Sequence, residues 1–212
     1  MSVPDHPFDA VILAGGAARR MGGADKPGMD VGGATLLERV AASVPDARRI
    51  VVVGPRRPRP RARYVREDPP GGGPVPALRA GLAEVEAASC ALLGADLPFL
   101  RPEHIGRLRR AASGRSGAVF VDAAGQRQWL VGFWDTAVLR TALAAYTGRS
   151  LRGLLGPLNP APVAVPEPGD PALSDCDTPE DLARARALIH PSNSENGTAS
   201  RRNPRMSRNF DR

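Results

Sequence analysis

Between Asp9 and about Ile189 the sequence alternates short apolar runs with longer segments whose apolar residues recur at helical spacing. Asp9–Ala14 is an apolar run ending in glycines, which predicts a strand buried on both faces. Thr35–Val44 carries helical spacing, Ile50–Val53 is a β-branched strand closed by Gly54 and Pro55, and Val75–Val85 again predicts a helix. Cys90–Gly94 predicts a second buried strand that leads into Asp96, followed by a helix over Pro102–Ala112 with proline in its first turn. Ala118–Val121 and Trp129–Trp134 predict strands, while Asp135–Tyr146 and Thr178–Ile189 predict helices. Thr178-Pro179-Glu180-Asp181 supplies an N-terminal capping signal for the last. Strands separated by helices favour parallel pairing, so an α/β layer fold with a mainly parallel sheet is expected. Ligands in such sheets bind beyond the carboxyl ends of the strands.

A chain of 212 residues suits one domain with a substantial core. The expected organisation is a short extension over 1–8, a domain over 9–190, and a tail over 191–212 rich in Ser, Asn, Gly and Arg, which predicts disorder. No apolar run reaches the roughly 18 residues of a membrane span, and the first residues carry no secretory h-region. Two cysteines make neither a disulfide framework nor a zinc spacing, which places the chain in a reducing cytoplasm.

The net charge of +7 comes from 29 basic against 22 acidic residues, and Lys26 is the single lysine. Six arginines crowd the Pro-rich stretch Arg56–Arg66, and five fall between Arg201 and Arg212. Neither stretch interleaves aromatics for base stacking, so nucleic-acid binding is disfavoured and the arginines read as compositional background.

Chemistry concentrates after the first strand, in Leu13-Ala14-Gly15-Gly16-Ala17-Ala18-Arg19-Arg20-Met21-Gly22-Gly23-Ala24-Asp25-Lys26. Gly15 and Gly16 let backbone N–H groups approach an anion closely, and Arg19, Arg20 and Lys26 add positive charge within one loop. Such a loop suits a triphosphate, although an ordinary glycine turn with solvated arginines has the same elements. Neither G-x-x-x-x-G-K-[ST] nor G-x-G-x-x-G occurs at this turn. Asp96 directly follows a buried strand, where a carboxylate faces the cleft and could hold Mg²⁺ with substrate phosphates, or could merely cap a turn. Asp68 ends another strand candidate, where it could meet a base, ribose or metal, or serve as a turn residue before two prolines.

The glycine loop resembles the signature of the molybdenum cofactor guanylyltransferases, L-A-G-G-x-x-x-R-M-G-x-D-K, with Leu13–Gly16, Arg20, Met21, Gly22, Asp25 and Lys26 in place and one extra glycine, Gly23. Glu67-Asp68-Pro69, Gly71–Pro74, Leu78–Leu82 and Gly94–Leu100 follow in the family's order. Asp175-Cys176-Asp177-Thr178-Pro179-Glu180 resembles the family's N-x-N-T-P-E segment with both asparagines replaced by aspartates. Gly54 stands where guanylyltransferases usually place an asparagine near the base.

The resemblance implies a three-layer Rossmann-like nucleotidyltransferase fold. It implies nucleotide binding by Leu13, Ala14, Gly15, Gly16, Lys26, Asp68 and Asp96, with Arg20, Lys26 and Asp96 catalytic. Mg²⁺ would be held by Asp96, with Asp177 assisting. The acceptor would be met by Gln128, Arg149, Asp175 and Asp177, in segments that also carry Arg127, Trp129 and Arg152. The implied activity is transfer of GMP from GTP to the phosphate of molybdopterin or the molybdenum cofactor, with molybdoenzymes or cofactor-insertion proteins as later partners. A cytidylyl or other NTP transferase on a different phosphorylated acceptor, and a catalytically weak accessory protein of cofactor maturation, remain alternatives.

Overall fold

Strand β1 (Asp9–Leu13) is buried along its whole length because both faces of the sheet around it are covered. Ala10 and Ile12 pack on one side with Leu37, Val40 and Leu108, and Val11 and Leu13 pack on the other with Leu78, Leu82 and Leu139. The computed structural model describes residues 6–15, 25–165 and 169–189. Gly16, Arg19 and Arg20, and the tail expected to be disordered, lie outside the described residues.

After β1 come a two-residue hairpin, β2 (Asp30–Val31) and β3 (Ala34–Thr35), then α1 (Leu36–Ala42) and β4 (Arg49–Val53). β5 (Arg63–Val65), α2 (Pro74–Ala83), β6 (Ser89–Gly94) and α3 (Pro102–Ala112) follow. The chain continues through β7 (Gly117–Val121), β8 (Arg127–Asp135), α4 (Thr136–Ala145), α5 (Leu151–Leu155), β9 (Ala161–Ala164) and α6 (Pro179–Ile189). The main sheet has seven strands in the order β5-β4-β1-β6-β8-β7-β9. β5, β4, β1 and β6 pair in parallel, β8 is antiparallel to both β6 and β7, and β9 is parallel to β7. The sheet is therefore mainly parallel, with β8 reversed.

Several ends are set locally. Thr35 accepts the Glu38 amide at 3.2 Å while Glu38 accepts the Thr35 amide at 2.9 Å, a capping box that starts α1. Gly32 and Gly33, with φ of 65° and 80°, make the hairpin turn before it. Asp9 is fully buried at the amino end of β1 and accepts the Glu86 and Ala87 amides at 2.7 and 3.0 Å. Burial, the largest influence on it, opposes ionisation, but the two amides and Arg48 outweigh it and lower the pKa of the carboxyl.

A third cluster lies outside the two main layers. Val31 and Leu36 pack there with Cys176, Leu182 and Ala185, so α6 docks on the β2–β3 hairpin. This packing brings the end of the domain onto the segment just after the glycine loop.

Candidate active site

The carboxyl ends of β4, β1 and β6 form a continuous edge. Leu13 sits level with Val53 on one side and Gly94 on the other. The ladder runs one residue further, with the Ala14 amide donating to Val53 at 2.9 Å and the Ala95 amide to Leu13 at 3.1 Å. Asp96 follows at once, half-buried. Gly94 makes room for it, since a Cβ there would lie 2.8 Å from Asp96 Oδ1.

Lys26 meets Asp96 across this edge. Its Nζ donates to Asp96 Oδ2 at 2.9 Å and to Asp177 Oδ1 at 2.5 Å, and its side chain is only 15% exposed. Burial is the largest influence on the ammonium and disfavours it, but hydrogen bonds and charge from Asp177 and Asp96 outweigh it and raise the Lys26 pKa. Lys26 is therefore a fixed cation at neutral pH.

Asp177 reaches Lys26 because two neighbours hold its segment. The Cys176 thiol is buried in the third cluster, and the Cys176 amide donates to the Asp96 carbonyl at 3.1 Å. Thr178 starts α6 as the capping signal predicts, with its Oγ1 accepting the Asp181 amide at 3.2 Å and Asp181 accepting the Thr178 amide at 3.0 Å. The cap uses Thr178 and Asp181, so the Asp177 carboxylate is available to Lys26. Asp175 is exposed, and its pKa is raised by burial first and then by the negative charge of Asp177 and Asp96.

Leu13 and Ala14 are buried, so their side chains belong to the core and only their backbone lies at the edge. Gly15 is exposed, and a Cβ on it would lie 3.7 Å from Glu67 Oε1. Glu67 also accepts the Gly71 amide at 3.0 Å, closing the loop that precedes α2. β5 stops at Val65, short of Asp68, so Asp68 does not end a strand; it is exposed in the loop after it. Glu67 faces Gly15, and its only sequence signal was an acid next to the expected one.

Gln128 lies at the same edge of the sheet as Asp96, because β8 runs antiparallel to β6 with Val131 level with Leu93. Its Nε2 donates to Asp122 Oδ2 at 2.9 Å. Arg149 is exposed just before α5, whose N-terminus Ser150 caps by accepting the Gly153 amide at 3.1 Å. The structure thus joins Lys26, Asp96 and Asp177 directly, with Asp175 within their electrostatic reach, while among the described residues Gln128 and Arg149 make no hydrogen bond to them.

One arginine of the Pro-rich stretch is not background. Arg57 forms a two-pronged ion pair with Asp25, next to Lys26. Gly28 closes this corner, where a Cβ would collide with both side chains. Composition hid this residue, since nothing in the sequence distinguishes Arg57 from its five arginine neighbours.

Charged side chains thus gather past the carboxyl ends of parallel strands, beside Gly15, which is where ligands bind in open sheets of this kind. The crystal structure of molybdopterin-guanine dinucleotide biosynthesis protein A from Archaeoglobus fulgidus has the same fold, with a TM-score of 0.70 at 20% identity over 87% of this chain and all of that one. That of 2-C-methyl-D-erythritol 4-phosphate cytidylyltransferase from Thermus thermophilus aligns with a TM-score of 0.65 at 21% identity, covering 87% of this chain and 99% of that one. Residues 10–163 match the MobA-like NTP transferase domain. The chain belongs to that family and is a nucleotidyltransferase. It is 34% identical over 191 residues to a probable molybdenum cofactor guanylyltransferase of Mycobacterium avium, covering 84% of this chain and 95% of the relative. It is 32% identical over 206 residues to the molybdenum cofactor guanylyltransferase of Nitrobacter hamburgensis, covering 89% and 97%.

Proposed function

We propose that the chain transfers GMP from GTP to the terminal phosphate of molybdopterin and releases pyrophosphate. The observation that carries this reading is the Lys26 ammonium held between Asp96 and Asp177 at the carboxyl edge of the sheet. In the transfer, an acceptor phosphate oxygen forms a bond to the α-phosphorus of GTP as the bond to the bridging oxygen breaks. The nucleophile is already an anion, so the residues here serve mainly to bring two polyanions together and hold charge. Gly15 and Gly16 offer backbone amides, Lys26 and Arg20 offer cations, and Gln128, Arg149 and Asp175 face the acceptor side.

The site suits Mg²⁺ on the chemistry of its donors. Asp96 and Asp177 come together around the Lys26 ammonium, and one or two hard carboxylates plus substrate phosphates are a usual magnesium set. The local balance agrees, since Asp96, Asp177 and the nearby Asp175 outnumber Lys26. A triphosphate therefore needs further positive charge to approach. When bound, the ion would supply Lewis-acid polarisation of the phosphates. Asp68, exposed near the glycine loop, remains part of the proposed nucleotide site.

Gly54 bears on base choice. A Cβ there would lie 2.8 Å from the Ala14 carbonyl oxygen, so this backbone requires glycine and offers no side-chain amide to a base. A cytidylyl reading therefore stays in the test. Pyrophosphate release with GTP, CTP or ATP, each with molybdopterin, separates the readings: GTP alone should support release, and preference for CTP would reassign the donor. No helix among the described residues is long and apolar enough to cross a membrane. Both cysteines are free and buried, in keeping with a cytoplasmic setting.

A further inference from the structure

The Pro-rich arginine stretch folds into a wall. Together with β5 it lines an open cavity of about 560 Å³ whose rim includes Arg56, Arg57, Arg61, Tyr64 and Arg66, with no acidic residue among the described lining residues. Arg57 is engaged by Asp25, and Arg63, also in the lining, is engaged by Glu84 at 3.2 Å. Arg56, Arg61 and Arg66 have no ion-pair partner among the described residues. The loop behind them is stiff: Pro55, Pro58 and Pro60 fix its backbone, and the Tyr64 hydroxyl donates to the Pro60 carbonyl at 3.0 Å.

Arg56, Arg61 and Arg66 are exposed on one concave wall, where an anion bearing several charges can meet more than one guanidinium. Guanidinium forks match phosphoryl oxygens two at a time, and a single carboxylate could satisfy only one of them. We infer that this cavity is a second anion site, adjoining the nucleotide edge at Gly54, which binds a ligand with at least two phosphoryl groups, such as pyrophosphate.

The cavity adjoins the active site by two routes. Gly54, in the lining, packs against Ala14, and Arg57 grips Asp25 beside Lys26.

The test is equilibrium dialysis of radiolabelled pyrophosphate against the full chain at physiological salt, in the wild type, in Lys26→Ala, and in the triple variant Arg56→Ser/Arg61→Ser/Arg66→Ser. Lys26→Ala should keep a binding event that the triple variant weakens at least tenfold, while inorganic phosphate binds far more weakly at the same place. Arg61→Ser alone, folded by circular dichroism, gives the same readout with a smaller loss if the triple variant fails to fold. Equal pyrophosphate binding by wild type and triple variant would overturn the assignment, as would equal and weak binding of phosphate and pyrophosphate. A single-stranded oligonucleotide held by these arginines in place of pyrophosphate would also overturn it and make the wall a nucleic-acid surface. None of these outcomes depends on GMP transfer, so failure here and failure of the proposed reaction are separate results.

Discussion

The Cys176 amide donates to the Asp96 carbonyl at 3.1 Å, joining the segment before α6 to the end of a central strand. With the thiol buried beneath it, this bond sets where Asp177 points. Delivery of Asp177 to Lys26 therefore depends on the docking of α6 through Leu182 and Ala185 onto Val31 and Leu36.

Leu182→Ala should reveal that dependence. Leu182 is buried, and removing its side chain should cost about 2–3 kcal/mol of local stability. Hydrogen exchange should quicken over residues 177–189 while β1 and β6 keep their protection, and turnover should fall several-fold. Unchanged exchange in α6 would show that the helix is held by other contacts.

Removal of the ammonium tests the site itself. Lys26→Ala should lower turnover by about a hundredfold or more, a loss typical of a removed charge-stabilising donor. The melting temperature should drop by a few degrees, because Asp96 and Asp177 then face each other without their shared cation. Added Mg²⁺ should recover more of that thermal loss in the variant than it adds to the wild type. Lys26→Arg should restore the melting temperature but not the turnover, since a planar fork replaces a compact ammonium.

Gly94 is a quieter test of the same geometry. A Cβ at this position would lie 2.8 Å from Asp96 Oδ1, so Gly94→Ala should push the carboxylate aside. Activity should fall by about tenfold with a modest loss of stability, about 1–2 kcal/mol, typical of overpacking. Wild-type activity in a folded Gly94→Ala variant would show that Asp96 tolerates displacement.

The layers of the fold were legible because their signals are local. β1, β4, β6, α2, α3, α4 and α6 follow from hydrophobic period, proline positions and the Thr178 cap, and each lies within a residue or two of its expected span. The reversal of β8 was not legible, because alternation along a strand carries no information about its direction. β9 was hidden by Pro162, which an edge strand tolerates, and α5 by its five-residue length and Gly153. In the site, Lys26 and Asp96 were each identifiable by motif. The contact of Lys26 with Asp177, separated by 151 residues, required the packing of α6. Arg57 was invisible until Asp25 was placed beside it.

The aspartates that replace the family's asparagines give a pH prediction. The Asp175 pKa is raised by burial and by the Asp177 and Asp96 charges. A carboxyl with a raised folded pKa favours folding fully below its unfolded value, and that contribution is lost as pH rises through the folded value. Asp175→Asn should therefore leave stability unchanged below about pH 3.8 and increase it slightly near neutrality, since solvent screens an exposed group. Thermal melts of both proteins across pH 3 to 8 check this. Curves that stay parallel throughout would mean that Asp175 titrates normally.

GMP transfer is decided by the mass of the product formed from GTP and molybdopterin by the wild type and by Asp96→Asn. The wild type should yield molybdopterin carrying one added GMP, with one equivalent of pyrophosphate. Asp96→Asn should still bind GTP in part but make the adduct only at trace rate. No GMP adduct from the folded wild type, or equal adduct formation by the two proteins, would contradict transfer at this site.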